Sequence, residues 1–123
     1  MQATAEGTER HVGRYPVFRD AGFYRAVFDL EVSTLGIGTY RGAVDGNADR
    51  AYIDALLAAA DNGINFFDTA INYRHQRSER SIGAALRELS RDEIVVCTKA
   101  GFLTPGAVPA SLRPEDVFQA YIA

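Results

Sequence analysis

The sequence predicts an α/β fold with a parallel sheet, and three observations support this prediction. Two runs, INFF at 64–67 and EIVVCT at 93–98, lack polar alternation, as is typical of strands buried on both faces. Two amphipathic stretches separate these runs from each other and from an earlier β-prone run, so the order is strand, helix, strand, helix, strand. Successive β-prone runs begin about thirty residues apart, which is the size of a βαβ unit.

The amino-terminal region precedes this alternation. Residues 1–22 mix glycine, proline and charges without a clear period, and we expect an irregular, mobile lead-in before a domain at 23–123. FYRAVFDLEV at 23–32 alternates loosely and predicts a hairpin strand or a short cover over another part of the fold. TLGIGTY at 34–40 predicts the first strand of the sheet. A glycine within a strand, such as Gly38, often marks a close approach of ligand or backbone.

Both predicted helices carry a single apolar stripe. The first covers 48–62, with Asn47 or Asp49 expected to cap its start and Gly63 expected to end it in a left-handed conformation. Its stripe has the spacing i, i+3, i+4 and i+7 and consists of Ile53, Leu56, Leu57 and Ala60. The second helix is expected to start at Ser78 as its cap. Its stripe consists of Ile82, Ala85, Leu86 and Leu89.

Composition limits the class of protein. A length of 123 residues suits one domain, and a net charge of −3 gives no reason to expect nucleic acid or an anionic membrane as a partner. No apolar run reaches about 18 residues, so we expect no membrane span, and no signal peptide is recognised. The single cysteine, Cys97, lies in an apolar run and is expected to be a small buried hydrophobe. We expect a cytoplasmic protein without a metal site.

Three polar residues follow the predicted buried strands. Asp68 ends one strand, Lys99 ends the next, and Tyr73 lies in the loop after Asp68. Because active sites of α/β folds gather at the carboxyl ends of strands, we expect these side chains at one edge. A phenol ordinarily titrates near pH 10, and a cation within about 4–6 Å lowers that pKa. The trio would then supply a general acid for carbonyl reduction by hydride. A structural ion pair beside a packing tyrosine is the alternative.

Several motifs together resemble one enzyme family. FFDTAINY, SERSIGAAL and IVVCTKAG are similar, in order and spacing, to the first part of the aldo-keto reductases. LGIGTY resembles the first strand of that family, and FYRAVFDLEVS stands where the family has an amino-terminal hairpin that covers the barrel floor. The resemblance extends over residues 30–102. Its matching positions are Asp68, Tyr73, Ser78, Glu79, Gly83 and Lys99.

The resemblance implies a fold and an activity. The family is a (β/α)8 TIM barrel, of which this chain would carry the amino-terminal portion, about three βα units. Its members reduce an aldehyde or ketone to an alcohol with NADPH, so a small carbonyl compound is the implied substrate. By resemblance, Tyr73 donates the proton, Lys99 lowers the pKa of Tyr73, and Asp68 supports Lys99. The residues implied at the nicotinamide are Gly38, Thr39, Tyr40 and Asp68.

The sequence also departs from the family pattern. The catalytic histidine that the family carries after its fourth strand has no counterpart, since the histidines here are His11 and His75. We expect His11 to be irrelevant and the RHQR segment at 74–77, with His75, to be a solvated loop and not a phosphate site. We therefore expect a truncated chain, whether relic, frameshifted product or incomplete gene product, that is inactive alone.

Two other functions stay open. The chain would serve as a non-catalytic binding or assembly module if its unpaired sheet edges joined another chain or a second copy of itself. A doubly wound nucleotide-binding fold is the weaker alternative, because GIGTYRGAVDG lacks the G-x-G-x-x-G spacing.

Overall fold

The computed structural model describes residues 2–100, so residues 101–123 of the predicted domain at 23–123 lie outside the described range. In chain order the elements are helices α1 (Ala5–Gly13) and α2 (Pro16–Asp20), strands β1 (Tyr24–Val27), β2 (Leu30–Ser33) and β3 (Ile37–Gly38), helix α3 (Gly46–Asp61), strand β4 (Phe66–Asp68), helix α4 (Arg77–Ala85) and strand β5 (Val95–Cys97). Strands β1 and β2 form an antiparallel hairpin, and β3, β4 and β5 form a parallel sheet in that order.

The parallel sheet confirms the predicted α/β arrangement. Gly38 pairs with Asp68 across β3 and β4, and Asp68 pairs with Cys97 across β4 and β5, so the three strands end side by side. Strand β3 is shorter than the predicted run at 34–40. A side chain at Gly36 would place its Cβ 2.4 Å from the ring of Phe66, so glycine at this position makes room for that ring.

The predicted apolar stripes pack in one core, although α4 ends at Ala85, so Leu86 and Leu89 of the second stripe follow the helix. Leu56 of α3, Ile82 of α4 and Phe67 of β4 are almost fully buried in one core cluster, together with Ile94 just before β5. Burying such a side chain contributes about 1.5–3 kcal/mol relative to leaving it exposed. The two helices therefore hold one face of the sheet and set the positions of its strand ends.

The helix caps differ from those expected. Asp45 caps α3 by accepting a 2.8 Å hydrogen bond from the Ala48 N–H, so the prediction of Asn47 or Asp49 is wrong. Asp49 lies inside the first turn, where its carboxylate is used by arginines of another segment. Gly63 follows α3 with a φ of +87°, which confirms its expected left-handed conformation.

Ser78 does not cap α4 either. The helix begins one residue earlier at Arg77, and Gln76, with a φ of 67°, stands at the cap position without a side-chain hydrogen bond to the helix. The Ser78 hydroxyl is buried and donates a 2.6 Å hydrogen bond to the carbonyl of Thr39. A buried hydroxyl needs a partner, and here that partner lies at the end of β3.

The expectation of an irregular lead-in at 1–22 is wrong, because residues 5–20 form α1 and α2. Thr4 caps α1 through a 3.0 Å hydrogen bond from the Gly7 N–H. The Thr4 N–H in turn donates to the carbonyl of Asp92, just before β5. The buried residues of α1, Gly7, Thr8, His11 and Val12, recur at helical spacing, but only Val12 is aliphatic, so hydropathy does not reveal this face.

Ion pairs and aromatic packing hold α1 in place. The buried carboxylate of Glu93 accepts hydrogen bonds from Arg10 at 2.9 Å and from Arg14 at 2.5 Å. His11 is fully buried, and its ring packs against those of Tyr15 and Tyr24, with centroids 5.2 and 6.4 Å away. His11 therefore belongs to the core between α1 and the hairpin.

Asn65 joins the hairpin to the parallel sheet. Its side-chain oxygen accepts from the Ser33 N–H at 2.8 Å, and its amide nitrogen donates to the Glu31 carbonyl at 2.9 Å. The hairpin predicted at 23–32 is thus present and covers the entry to β4. None of the helices formed by residues 2–100 combines the length and apolar content needed to cross a bilayer.

Candidate active site

The carboxyl ends of the three parallel strands bring the predicted polar residues together. Thr39 follows β3, Asp68 ends β4, and Lys99 lies two residues beyond β5. Hydrogen bonding continues past the strands, because the Ile71 N–H donates to the Lys99 carbonyl at 3.3 Å. This continuation keeps Lys99 beside the loop that leads from Asp68 to Tyr73.

Lys99 and Asp68 form a direct ion pair. The ammonium donates hydrogen bonds to Asp68 Oδ1 at 2.7 Å and to the Thr69 carbonyl at 2.8 Å. The side chains are 49% and 33% exposed, so solvent screens the pair considerably. The hydrogen bond to Asp68, and in smaller part the phenol of Tyr73, raises the pKa of Lys99 above its ordinary value. The ion pair therefore keeps Lys99 protonated and fixes the orientation of its ammonium group.

Tyr73 lies between this cation and a second tyrosine. The Lys99 ammonium is 5.0 Å from the centroid of the Tyr73 ring, within the range of a cation–π interaction. The exposed ring of Tyr40 packs edge-on against the ring of Tyr73, with centroids 4.9 Å apart. The structure thus brings Asp68, Tyr73 and Lys99 to one edge, while their catalytic roles remain predictions.

Thr39 joins the ends of strands β3 and β4 beneath the site. Its side chain is fully buried, and both its hydroxyl and its N–H donate to the carbonyl of Asp68, at 3.0 and 3.1 Å. The predicted place of Thr39 beside a cofactor remains a prediction. Together with Ser78, which donates to the Thr39 carbonyl, it ties the end of β3 to the end of β4 and to α4.

Gly38 and Tyr40 do face open space. A Cβ built on Gly38 would meet no atom of residues 2–100 within 4 Å, and Tyr40 is 61% exposed. The edge beside Asp68 therefore leaves room for a flat ring to approach the backbone. Among residues 2–100, no three His, Cys, Asp or Glu side chains are grouped so that they could hold a metal ion.

Sequence reasoning missed one supporting contact and one buried hydroxyl. Glu79 in α4 accepts a 2.7 Å hydrogen bond from the Thr98 hydroxyl, one residue before Lys99. Thr69 is buried, and its hydroxyl has no partner among the described residues. The DTA and SE motifs contain Thr69 and Glu79, so these motifs carried a signal, but the contacts depend on the strand register.

The expectation of a solvated RHQR loop at 74–77 is wrong for its first and last residues, because Arg77 begins α4 and pairs with Asp49 at 2.7 Å, and Arg74 is buried. His75 and Gln76 are exposed, whereas the side chain of Arg74 is only 1% exposed and pairs with Asp49 at 2.8 Å. Arg74, His75 and Gln76 all have positive φ, between 50° and 67°. The left-handed conformation costs a residue other than glycine about 1–2 kcal/mol, so neighbouring contacts must hold this segment.

This arrangement suits transfer of a proton to an oxygen atom. A half-buried phenol stands at the edge of the sheet with an ammonium group over its ring, and a carboxylate keeps that ammonium charged. Positive charge near a phenol favours loss of its proton, while the open edge gives a substrate access.

Comparison with known proteins agrees with this geometry. The family model described as the aldo/keto reductase family matches residues 34–121. A D-threo-aldose 1-dehydrogenase of Pseudomonas sp is 40% identical over 101 residues, which are 76% of this chain and 30% of that protein. An NADH-specific methylglyoxal reductase of Escherichia coli (strain K12) is 40% identical over 80 residues, 61% of this chain and 24% of that protein.

A third relative has a different kind of name. A probable voltage-gated potassium channel subunit beta of Arabidopsis thaliana is 37% identical over 95 residues, 73% of this chain and 28% of that protein. The chain thus spans between 24% and 30% of the length of these three relatives. The family model covers most of the chain, and the resemblance seen in the motifs is confirmed. The chain belongs to the aldo/keto reductase family.

Proposed function

We propose that this chain carries the proton-donating edge of an NAD(P)H-dependent reductase that converts an aldehyde or ketone to an alcohol. The observation that carries the proposal is the 2.7 Å pair of Lys99 and Asp68 with the Lys99 ammonium 5.0 Å from the Tyr73 ring centroid. In this proposal Tyr73 donates a proton to the carbonyl oxygen as it becomes an alkoxide. Lys99 stabilises the phenolate that remains, and Asp68 orients Lys99.

The residues at this edge fit a nicotinamide cofactor. When bound, the nicotinamide supplies the hydride. The open space beside Gly38 and the exposed face of Tyr40 would receive its ring next to Asp68. We propose NADPH as the cofactor, with NADH as the competitor, because one relative is named an NADH-specific reductase. The named substrates of relatives, methylglyoxal and aldoses, are the first carbonyl compounds to test.

The same proposal extends to the fold. Strands β3, β4 and β5 with helices α3 and α4 would be the start of a (β/α)8 barrel within the domain at 23–123. Within residues 2–100, β3 and β5 each pair on one side only, as two neighbours in an unclosed barrel would. We propose that the chain alone is inactive, since a complete barrel would contribute the remaining walls of the cofactor site.

A chimera tests the role of Tyr73 within a protein that supplies the rest of the barrel. Residues 34–100 of this chain replace the matching segment of the Escherichia coli methylglyoxal reductase, and carbonyl-dependent oxidation of NADPH and NADH is measured. We expect turnover that falls about 10²–10⁴-fold on Tyr73→Phe. Thermal unfolding of the chimera with and without Tyr73→Phe controls for loss of folding. A folded chimera whose turnover survives Tyr73→Phe would disprove the proposed role.

A non-catalytic assembly role is the second candidate. The strand edges of β3 and β5 that stay unpaired within residues 2–100 favour it, as does likeness to a protein named a channel subunit. Edges of this kind pair readily with other chains. Light scattering of the purified chain tests this role. A single defined oligomer supports self-association through the edges, and a monomer or a polydisperse aggregate contradicts it.

A further inference from the structure

An ion-pair cluster joins the two loops that carry Tyr40 and Tyr73. We call it the Asp49 cluster, and its members are Asp49, Tyr52, Arg74 and Arg77. Asp49 accepts a 2.8 Å hydrogen bond from Arg74, and it accepts two from Arg77, at 2.7 and 3.2 Å. Asp49 lies in the first turn of α3, whereas both arginines belong to the segment after Tyr73.

The cluster also reaches the loop that follows β3. The buried guanidinium of Arg74 donates a 2.9 Å hydrogen bond to the Ala43 carbonyl and lies 4.8 Å from the centroid of the Tyr52 ring. The Tyr52 hydroxyl donates to the carbonyl of Arg41. Arg74 therefore links the loop after Tyr73 directly to the Ala43 carbonyl, and the Arg41 carbonyl is held by Tyr52 of α3, on whose ring Arg74 packs.

The segment after Tyr73 needs such support. Arg74, His75 and Gln76 have φ values of 50°, 53° and 67°, a conformation that favours glycine. The side chains of His75 and Gln76 are exposed and make little contact with the core. Arg74 and Arg77 flank them, and both end on Asp49. The side chains at the two ends of the strained segment therefore bind one carboxylate, that of Asp49.

Tyr73 lies directly against this segment. Its carbonyl accepts a 3.5 Å hydrogen bond from the Ser78 N–H, across the strained residues, and its ring packs on Tyr40. We infer that Asp49 is a positioning residue, which holds the Tyr73 ring against Tyr40 and near Lys99 by fastening both loops to α3. The chemical consequence of this inference rests on the proposed function of Tyr73.

Nuclear magnetic resonance of the full chain with labelled tyrosine tests the position of the ring. The Tyr40–Tyr73 contact gives ring-to-ring cross-peaks, which Tyr40→Phe and Tyr73→Phe assign. We expect Asp49→Asn to weaken these cross-peaks several-fold, because the amide has one acceptor oxygen for two arginines. Asp54→Asn, on the exposed side of the same helix, is the matched control. Unchanged cross-peaks in folded Asp49→Asn overturn the inference.

A rescue distinguishes positioning from general support of the fold. His75→Gly with Gln76→Gly relieves the left-handed strain without touching the core. Added to Asp49→Asn, this pair should restore at least half of the lost Tyr40–Tyr73 signal, and failure to restore it counts against the inference. If Asp49→Asn does not fold, Arg77→Gln, which leaves the Arg74–Asp49 pair, is measured against the same criteria.

The positioning inference and the proposed function can be disproved independently of each other. In the chimera, Asp49→Asn should lower kcat about 10–100-fold with KM little changed, as misplacement of a reacting group does. A wild-type chimera without turnover contradicts the proposed function and leaves the ring-contact result intact. An Asp49→Asn chain that keeps the ring contact contradicts the positioning inference, whatever the chimera does.

Discussion

Arg14 and Glu93 are 79 residues apart in sequence, yet the Arg14 guanidinium donates two hydrogen bonds to the Glu93 carboxylate. This pair fastens helix α1 to the entry of β5. The side chain of Glu93 is only 7% exposed, so its charge depends on this partner. An amino-terminal segment without a recognisable local pattern is therefore part of the folded unit.

Replacing Glu93 should destabilise the fold in a pH-dependent manner. The hydrogen bonds, with Arg14 first, lower the pKa of Glu93 to about 2 from an ordinary value near 4.5. A carboxylate with a depressed pKa stabilises the fold above its unfolded pKa, and this contribution disappears as the pH falls from about 4.5 towards 2. We expect Glu93→Gln to lower the free energy of unfolding at neutral pH by about 1–3 kcal/mol.

Urea unfolding of wild type and Glu93→Gln at several pH values measures this effect. The two stability curves should converge in acid. Glu88→Gln, a nearby exposed site, is the control and should change little. Parallel curves that stay separated down to the lowest pH would contradict the role of the Glu93 charge.

Removing Asp68 should lower the pKa of Lys99. The hydrogen bond from Lys99 to Asp68 is the largest cause of the raised pKa, so Asp68→Asn should bring it back towards the ordinary value of 10.5. A raised lysine pKa stabilises the fold below the unfolded pKa, and the contribution is lost as the pH rises through the folded pKa. Alkaline titration of the lysine side-chain signals by nuclear magnetic resonance checks this, with Asp61→Asn as the control. An unmoved Lys99 titration would show that the pair is too well solvated to matter.

Two glycines near the site should respond oppositely to alanine. At Gly36 a Cβ would lie 2.4 Å from the Phe66 ring, so Gly36→Ala should cost about 1–3 kcal/mol through overpacking. At Gly38 a Cβ would meet nothing within 4 Å in the part of the chain that the structure describes, so Gly38→Ala should fold with unchanged or slightly raised stability. Thermal unfolding compares the two. Under the proposed function, Gly38→Ala should still weaken cofactor affinity in the chimera, and equal stability losses at both sites would contradict the packing described for β3.

A second glycine pair tests how α1 docks. A Cβ on Gly7 would lie 2.1 Å from the backbone oxygen of Asp92, which cannot move without disturbing β5. Gly7→Ala should therefore destabilise the fold by at least about 1–3 kcal/mol. A Cβ on Gly13, at the end of the same helix, would meet no described atom within 4 Å, and Gly13→Ala should raise the stability by up to about 1 kcal/mol. Chemical unfolding of both variants measures the difference. A neutral Gly7→Ala would mean that α1 does not pack on the chain before β5.

The parallel sheet and its two helices followed from local pattern. INFF and the run at 93–98 have no polar alternation, and the helical stripes recur with the period of one turn. Each of these elements could therefore be predicted from its own residues. The positions of Asp68, Tyr73 and Lys99 at one edge followed as well, because parallel strands end on the same side. The family was recognisable from the motifs around these residues.

Other features depend on contacts that no local pattern reports. Helix α1 is bound to the chain at Asp92 and Glu93. The Ser78 hydroxyl donates to the end of β3 and does not cap its own helix, and Arg74 is buried against Asp49. In each case a polar side chain is satisfied by a partner 25 or more residues away. Hydropathy and spacing describe which segments are buried, whereas the partner of a buried polar group is chosen when segments pack together. For that reason the amino-acid order indicated the family and the edge where chemistry is proposed, and the packed chain revealed the side chains that hold Tyr73 there.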